Sequence, residues 1–222
     1  MDLERRRWLA AAATTTLALA TGGCSLLAAI PKVNEPLDLY TLTPKTTFDP
    51  NLPKVSWQLI VEQPVAAGGL DSARIALQHT PYTLEYYAKA SWTDNAPSMI
   101  QTLLVASFER SGKIVSVGRE SVGLRPDYLL KTELREFQAL YFDIQGNAPR
   151  IAVRINAKVI EMPDRRIIAS RTIYKEEKAA TPEFKDIINA FDDALGKALR
   201  DIVAFTLTAP QNRGQPEPPP EP

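Results

Sequence analysis

The sequence predicts an α+β fold, a mainly antiparallel sheet with two helices packed on one face. Runs of alternating apolar and polar residues recur along the chain, which is the period of half-buried strands. Two other stretches change to helical spacing. The order is strands, helix, a meander of strands, then a helix, and that order builds an antiparallel sheet with its helices set to one side rather than a regularly alternating parallel one.

Val55, Trp57, Leu59 and Val61 alternate with Ser56, Gln58 and Glu62, so one face of this strand is buried. In the next run Tyr82, Leu84, Tyr86, Ala88, Ala90 and Trp92 share an apolar face, and Thr83, Glu85, Tyr87, Lys89 and Ser91 share a polar one. Tyr87 on that polar face is a candidate interface anchor, because an exposed aromatic beside charged neighbours is built for a partner. Tyr128 to Phe137 reads as a strand with mixed faces. Ala139-Leu140-Tyr141-Phe142 carries it into an apolar segment that is either core or a patch for lipid or a partner, so Tyr141 and Phe142 join Tyr87 as interface candidates. Ile151, Val153, Ile155, Ala157 and Val159 form one face of a strand, Pro163-Asp164 supplies turn chemistry, and Ile167, Ala169, Arg171 and Ile173 return as a β-hairpin over 151–175.

The first helix is capped by Asp94 or Asn95, opens with Pro97, presents Ile100, Leu103, Leu104, Ser107 and Phe108, and stops at Gly112. The second takes Thr181 as N-cap and Pro182 as first helical residue. Its stripe is Phe184, Ile187, Ile188, Phe191, Leu195, Ala198 and Ile202. The polar side of that helix has no cationic excess, so the stripe faces a sheet and not a membrane surface.

Residues 1–23 read as an export signal: Arg5-Arg6-Arg7, an apolar run from Trp8 to Ala20 too short to span a bilayer, then Thr21-Gly22-Gly23 before Cys24. Cys24 is the only cysteine in the chain. Small residues before it resemble a bacterial lipobox, in which the thiol receives diacylglyceryl and the new N-terminus an acyl chain such as palmitate. Thr21 stands where leucine is usual, and Ala18-Leu19-Ala20 offers an ordinary signal-peptidase site as the alternative. Arg5-Arg6 ahead of Trp8-Leu9 fits both a general secretory and a twin-arginine signal. Residues 24–37 form a lipidated tether, 38–208 the domain, and 209–222 a disordered tail with six prolines.

Without residues 1–23 the chain carries 23 basic and 24 acidic side chains. That balance supplies no footprint for nucleic acid and no polybasic arm for anionic lipid. His79, the single histidine, lies in a loop before Thr80-Pro81, so zinc sites of the Cys/His type and histidine dyads have no partners here. Gly68-Gly69 lacks the spacing and lysine of a phosphate loop and reads as a turn. Asp192-Asp193, Glu176-Glu177, Glu133 and Glu136 read as solvated carboxylates. The chain calls for no cofactor, no metal and no catalytic residue.

Several segments together resemble the ABC-type transport auxiliary lipoprotein family (PqiC/YmbA-like), from about Leu39 to Phe205. They are Leu39-Tyr40-Thr41-Leu42, Pro64, Gly69-Leu70-Asp71-Ser72 with Arg74-Ile75, Tyr86-Tyr87-Ala88 with Trp92, Pro97, and the alanine spacing Ala190, Ala194, Ala198. The resemblance implies a non-enzymatic accessory of an Mce-type intermembrane lipid transport system. Its implied partners are an Mce-family substrate-binding protein and an inner-membrane ABC transporter, and the family can assemble into rings. Ser25 after the cysteine, where an inner-membrane retention signal would show Asp, favours the outer membrane, facing the periplasm. A structural or assembly lipoprotein of the outer membrane is the alternative, and an envelope hydrolase the third reading.

Overall fold

The computed structural model describes residues 37–120, 123 and 125–211. The signal segment, Cys24, the tether apart from Leu37, and the tail from Asn212 onward lie outside the described residues. In chain order the elements are β1 (Asp38–Tyr40), β2 (Val55–Val61), β3 (Val65–Ala66), β4 (Arg74–Gln78), β5 (Glu85–Trp92), α1 (Ala96–Ser111), β6 (Ile114–Gly118), β7 (Tyr128–Leu140), β8 (Arg150–Glu161), β9 (Arg166–Lys178) and α2 (Phe184–Thr208).

Strand β7 organises the sheet. One of its edges pairs with β8 along its whole length, and β8 pairs in turn with β9, both antiparallel. The other edge takes three short strands end to end, all parallel to β7: β2 at Tyr128–Leu130, β3 at Glu133–Leu134 and β4 at Gln138–Leu140. Beyond β2 lies β6, and beyond β4 lie β5 and then β1. The long ladders are antiparallel and the short ones mostly parallel, so the sheet is mixed within an α+β fold. Strands β1, β3, β4 and β6, of two to five residues, are additions to the sequence reading.

Both helices cover one face. Helix α2 packs on β8 and β9, while α1 packs on β6, β2 and α2. The inward residues of β8, Ile151, Val153, Ile155, Ala157 and Val159, are fully buried as the alternation requires. Ala190, Ala194 and Ala198 are buried along α2, and their small side chains let the helix backbone approach the sheet. Trp92, Phe137 and Phe191 meet with ring centroids 5.2–5.4 Å apart and join β5, β7 and α2. A strap after β1 ties this layer together. Thr43 donates its N–H and Oγ1–H to Asp192 at 2.6 and 2.7 Å, and the Lys45 N–H donates to Ser107 Oγ at 3.0 Å. Asp192 is therefore a staple between strap and helix rather than a freely solvated carboxylate.

Two bulges change the phase of the alternation. In β7 the register shifts between Leu134 and Glu136, so Leu130 and Leu134 face the helices before it and Phe137 and Ala139 after it. This accounts for the mixed faces of the sequence pattern. In β9 the shift opposite Val159 and Ile160 turns Ile167 away from the face of Ala169 and Ile173, leaving Ile167 54% exposed.

Helix α1 begins and ends where its punctuation demands. Asn95 is the N-cap, Asp94 accepts from Ser98 Oγ at 2.6 Å, and Gly112 closes the helix at φ 61°. Those hydrogen bonds, from Ser98 first and the Asn95 N–H second, hold the Asp94 carboxyl below its usual pKa. Helix α2 starts later than expected, with Glu183 as N-cap in place of Thr181. Thr181 Oγ1 instead accepts from the Glu183 N–H at 3.1 Å and donates to Asp186 at 2.6 Å. The threonine thus orders the turn before the helix, and Pro182 lies outside it.

Candidate functional site

The second alternating run is not one continuous strand. β5 starts at Glu85, and Tyr82, in the turn before it, is 94% exposed. Opposite β4 the register jumps from Ala76↔Tyr86 to Arg74↔Ser91, and Lys89 within that bulge has φ 61°. The extra residues reverse the faces. Tyr86 and Trp92, expected side by side, end on opposite faces of the sheet. Tyr87, expected on the solvent face, turns toward the helices and is half-buried.

Tyr87 sits inside a run of rings where β4, β5, β7 and α2 meet. Tyr40 and Tyr87 each make an edge contact with Phe184, with centroids 5.1 and 5.0 Å apart. The Tyr87 and Tyr141 hydroxyls share a hydrogen bond of 2.8 Å. Tyr141 stacks on His79 at 5.0 Å, and His79 Nδ1 lies 3.3 Å from Glu85 Oε1. Burial, and then the bond to Tyr141, push the Tyr87 phenol far above its ordinary pKa, so it stays neutral. Phe142 follows half-buried, its carbonyl accepting from Arg150 Nη2 at 3.5 Å. Tyr87 and Tyr141 thus meet in one cluster, Phe142 follows Tyr141 in the chain, and all three are half-buried.

Tyr87→Ala is accordingly expected to lower stability by about 2 kcal/mol, a fraction of the value for a fully buried aromatic. Tyr87→Phe keeps the ring and removes one hydroxyl partner, at a cost of about 1 kcal/mol. Chemical denaturation of the two variants checks both. A midpoint for Tyr87→Ala equal to wild type would show that the ring contributes no packing.

The outer face of the sheet, which no helix covers, carries a cross-strand polar ladder. Arg154 pairs with Glu136 at 2.8 Å and lies over the Tyr174 ring at 4.1 Å. Tyr174 donates to Glu176 at 2.6 Å, and Glu176 pairs with Arg150 at 2.8 Å. Burial first, and then the bond to Glu176, push the Tyr174 phenol up to about 12. Glu177 pairs with Lys197 of α2 on the inner face. These carboxylates hold strands and helix together, which the sequence pattern of neighbouring glutamates did not disclose.

The cavity described among these residues is a polar notch of about 150 Å³ beside the strap, lined by Thr43, Lys45, Asp192, Asp193 and Gly196. Pockets that take drug-sized ligands are about 300–1,000 Å³. Among the described residues no three His, Cys, Asp or Glu side chains converge on a metal position, and no helix is long and apolar enough to cross a membrane.

Residues 40–203 match the family model of the ABC-type transport auxiliary lipoprotein component. The chain belongs to this family. A crystal structure from Xanthomonas campestris is similar to this auxiliary lipoprotein component at 34% identity and a TM-score of 0.74, covering 79% of this chain and 97% of that one. A second crystal structure shares the fold at 14% identity and a TM-score of 0.61, covering 76% and 97%. An uncharacterized protein of Bradyrhizobium diazoefficiens is 23% identical over 170 residues, which is 77% of this chain and 45% of that protein. The chain thus spans about half the length of that curated relative. The family is that of ABC-type transport auxiliary lipoprotein components, and residues 40–203 are the part of this chain that matches it.

Proposed function

We propose that this chain is a non-enzymatic auxiliary lipoprotein of an Mce-type ABC system that moves lipid between membranes. It docks with the Mce-family substrate-binding protein and the inner-membrane permease complex across the periplasm. Cys24 carries the lipid, and the anchor holds the domain at the outer membrane, facing the periplasm. The observation that carries this reading is the family match over residues 40–203. Docking uses the aromatic end, where Tyr141 and Phe142 meet the partner and Tyr87 fixes their position from behind. Self-assembly of several copies, as a ring, belongs to the same reading.

Affinity capture of the tagged full chain from detergent-solubilised envelopes tests it. The permease, the ATPase and an Mce-family protein are expected to co-elute, with bound lipid in the eluate. Recovery of outer-membrane assembly proteins without any ABC subunit would replace this reading with that of a structural lipoprotein.

A further inference from the structure

Tyr82 is the most exposed large apolar side chain among the described residues. Every other tyrosine of the chain packs on a second ring or beneath an arginine. The turn that carries Tyr82, between β4 and β5, is held by its own hydrogen bonds. The Thr83 N–H donates to the Thr80 carbonyl at 3.4 Å, the Tyr82 N–H donates to Thr80 Oγ1 at 3.4 Å, and the two threonine hydroxyls share a hydrogen bond of 2.9 Å. A fixed turn therefore holds Tyr82 out into solvent. Such a ring, apolar in its body and polar at its tip, suits the boundary between lipid headgroups and acyl chains.

The chain from the N-terminus arrives on the same side. β5 runs away from the turn, and β1 lies parallel to it, with Asp38, Leu39 and Tyr40 level with Ala90, Ser91 and Trp92. The backbone therefore enters β1 at Leu37 from the side of the turn. Leu37 and Leu39 are 53% and 63% exposed there, and Leu84, just after the turn, is exposed as well. Gln78, just before the turn, is level with Leu140 at the end of β7. The exposed Ile167 and Val115 lie at the other end. Ile167 is level with Ile160 and Leu129, and Val115 precedes Ser116, which is level with Gln58 beyond the start of β7. Residues 25–36 join Cys24 to Leu37 and reach at most about 45 Å when fully extended. Acyl chains on Cys24 thus hold the domain by a short leash, attached on the side of Tyr82. Asp38 and Glu85 stand against Lys89 and His79 in this part of the chain, so the attraction is apolar and needs no anionic lipid.

We propose that the β4–β5 turn and the start of β1 form a lipid-surface contact, in which Tyr82, Leu37 and Leu39 enter the headgroup region of the leaflet that holds the acylated Cys24. This rests on the lipidated cysteine of the reading above and adds a protein surface to it. An anchor by itself leaves the domain free to turn, whereas a second contact fixes which end faces the leaflet. Tyr141, on which His79 stacks, adjoins the turn, so a partner that meets Tyr141 does so at the leaflet.

The full chain, purified from membranes and reconstituted in phosphatidylcholine vesicles with or without brominated acyl chains, tests this. Tyr82→Trp places a fluorescent reporter on the turn, and Val115→Trp places one at the opposite end. Both positions are exposed, and unchanged melting curves verify that both variants fold. Each is read against wild type, in which Trp92 is buried and Trp57 half-buried. The added indole of Tyr82→Trp is expected to emit further to the blue on vesicles and to lose about half its intensity to bromine, since interfacial side chains sit about 5–10 Å into the headgroup and acyl boundary. That of Val115→Trp is expected to do neither. Equal quenching of the two, or none in Tyr82→Trp that floats with the vesicles, overturns the proposal. So does a blue shift produced by the solubilised ABC complex and not by vesicles, which would give the turn to a protein partner. Intact mass judges the anchor separately. Quenching in a chain without acyl mass keeps the contact and removes the anchor, an acylated chain without quenching does the reverse, and a chain with neither loses both.

Discussion

Trp92→Ala is expected to destabilise the domain by about 3–5 kcal/mol, the range for removing a buried aromatic from a packed core. Trp92 is 1% exposed, and its ring touches Phe137 of the sheet and Phe191 of α2, so truncation opens a void between the two layers. A loss of that size approaches the whole stability of an ordinary domain, about 5–15 kcal/mol. Trp92→Phe separates shape from polarity. The indole Nε1–H is buried and makes no hydrogen bond with the protein. An unsatisfied buried donor costs about 1–3 kcal/mol, so its removal offsets part of the lost volume. Urea unfolding should therefore place Trp92→Phe close to wild type and Trp92→Ala far below it. Equal losses in the two variants would mean that the indole hydrogen is satisfied after all.

Cys24→Ser is expected to move the protein from the membrane fraction to the soluble one almost completely. Serine provides no thiol for thioether attachment, and among the described residues no helix is long and apolar enough to cross a bilayer. Each buried methylene contributes about 0.8 kcal/mol, so one acyl chain anchors marginally and the two or three of a lipoprotein anchor firmly. Fractionation with intact-mass measurement provides the check. The wild-type chain should begin at Cys24 and carry acyl mass. A soluble wild-type chain beginning at Thr21 would refute lipidation and favour cleavage after Ala18-Leu19-Ala20.

Much of the frame is legible from residue order alone. Five alternating apolar residues place β8 with its buried face, Pro97 and Gly112 bound α1, and the stripe from Phe184 to Ile202 marks the packed side of α2. Faces were lost wherever one strand carries extra residues. The bulge at Lys89 has no glycine or asparagine to announce a left-handed backbone, yet it reverses Tyr87 relative to Trp92. A single residue at Arg135 does the same within β7. Thr181 bears the chemistry of an N-cap, but its hydroxyl is spent on the turn that precedes the helix. The short parallel strands escaped for another reason: β3 has two residues and exists through its pairing with β7, a distant contact that leaves no local period. The aromatic end is dispersed in the same way, since His79, Tyr87, Tyr141 and Phe184 converge only after four elements are assembled.

The position of β7 dictates an order of events during synthesis. β2, β3 and β4 all precede it in the chain, with α1 intervening, and each depends on it for one of its edges. A ribosome delivers the first half of the domain before the strand that joins its pieces exists. Until Leu140 has emerged, those segments are held only by their local neighbours, with their inner side chains uncovered. Contacts so distant in sequence form slowly. The first half of the domain therefore waits for its organising strand, and the core closes only once α2 arrives to cover β8 and β9.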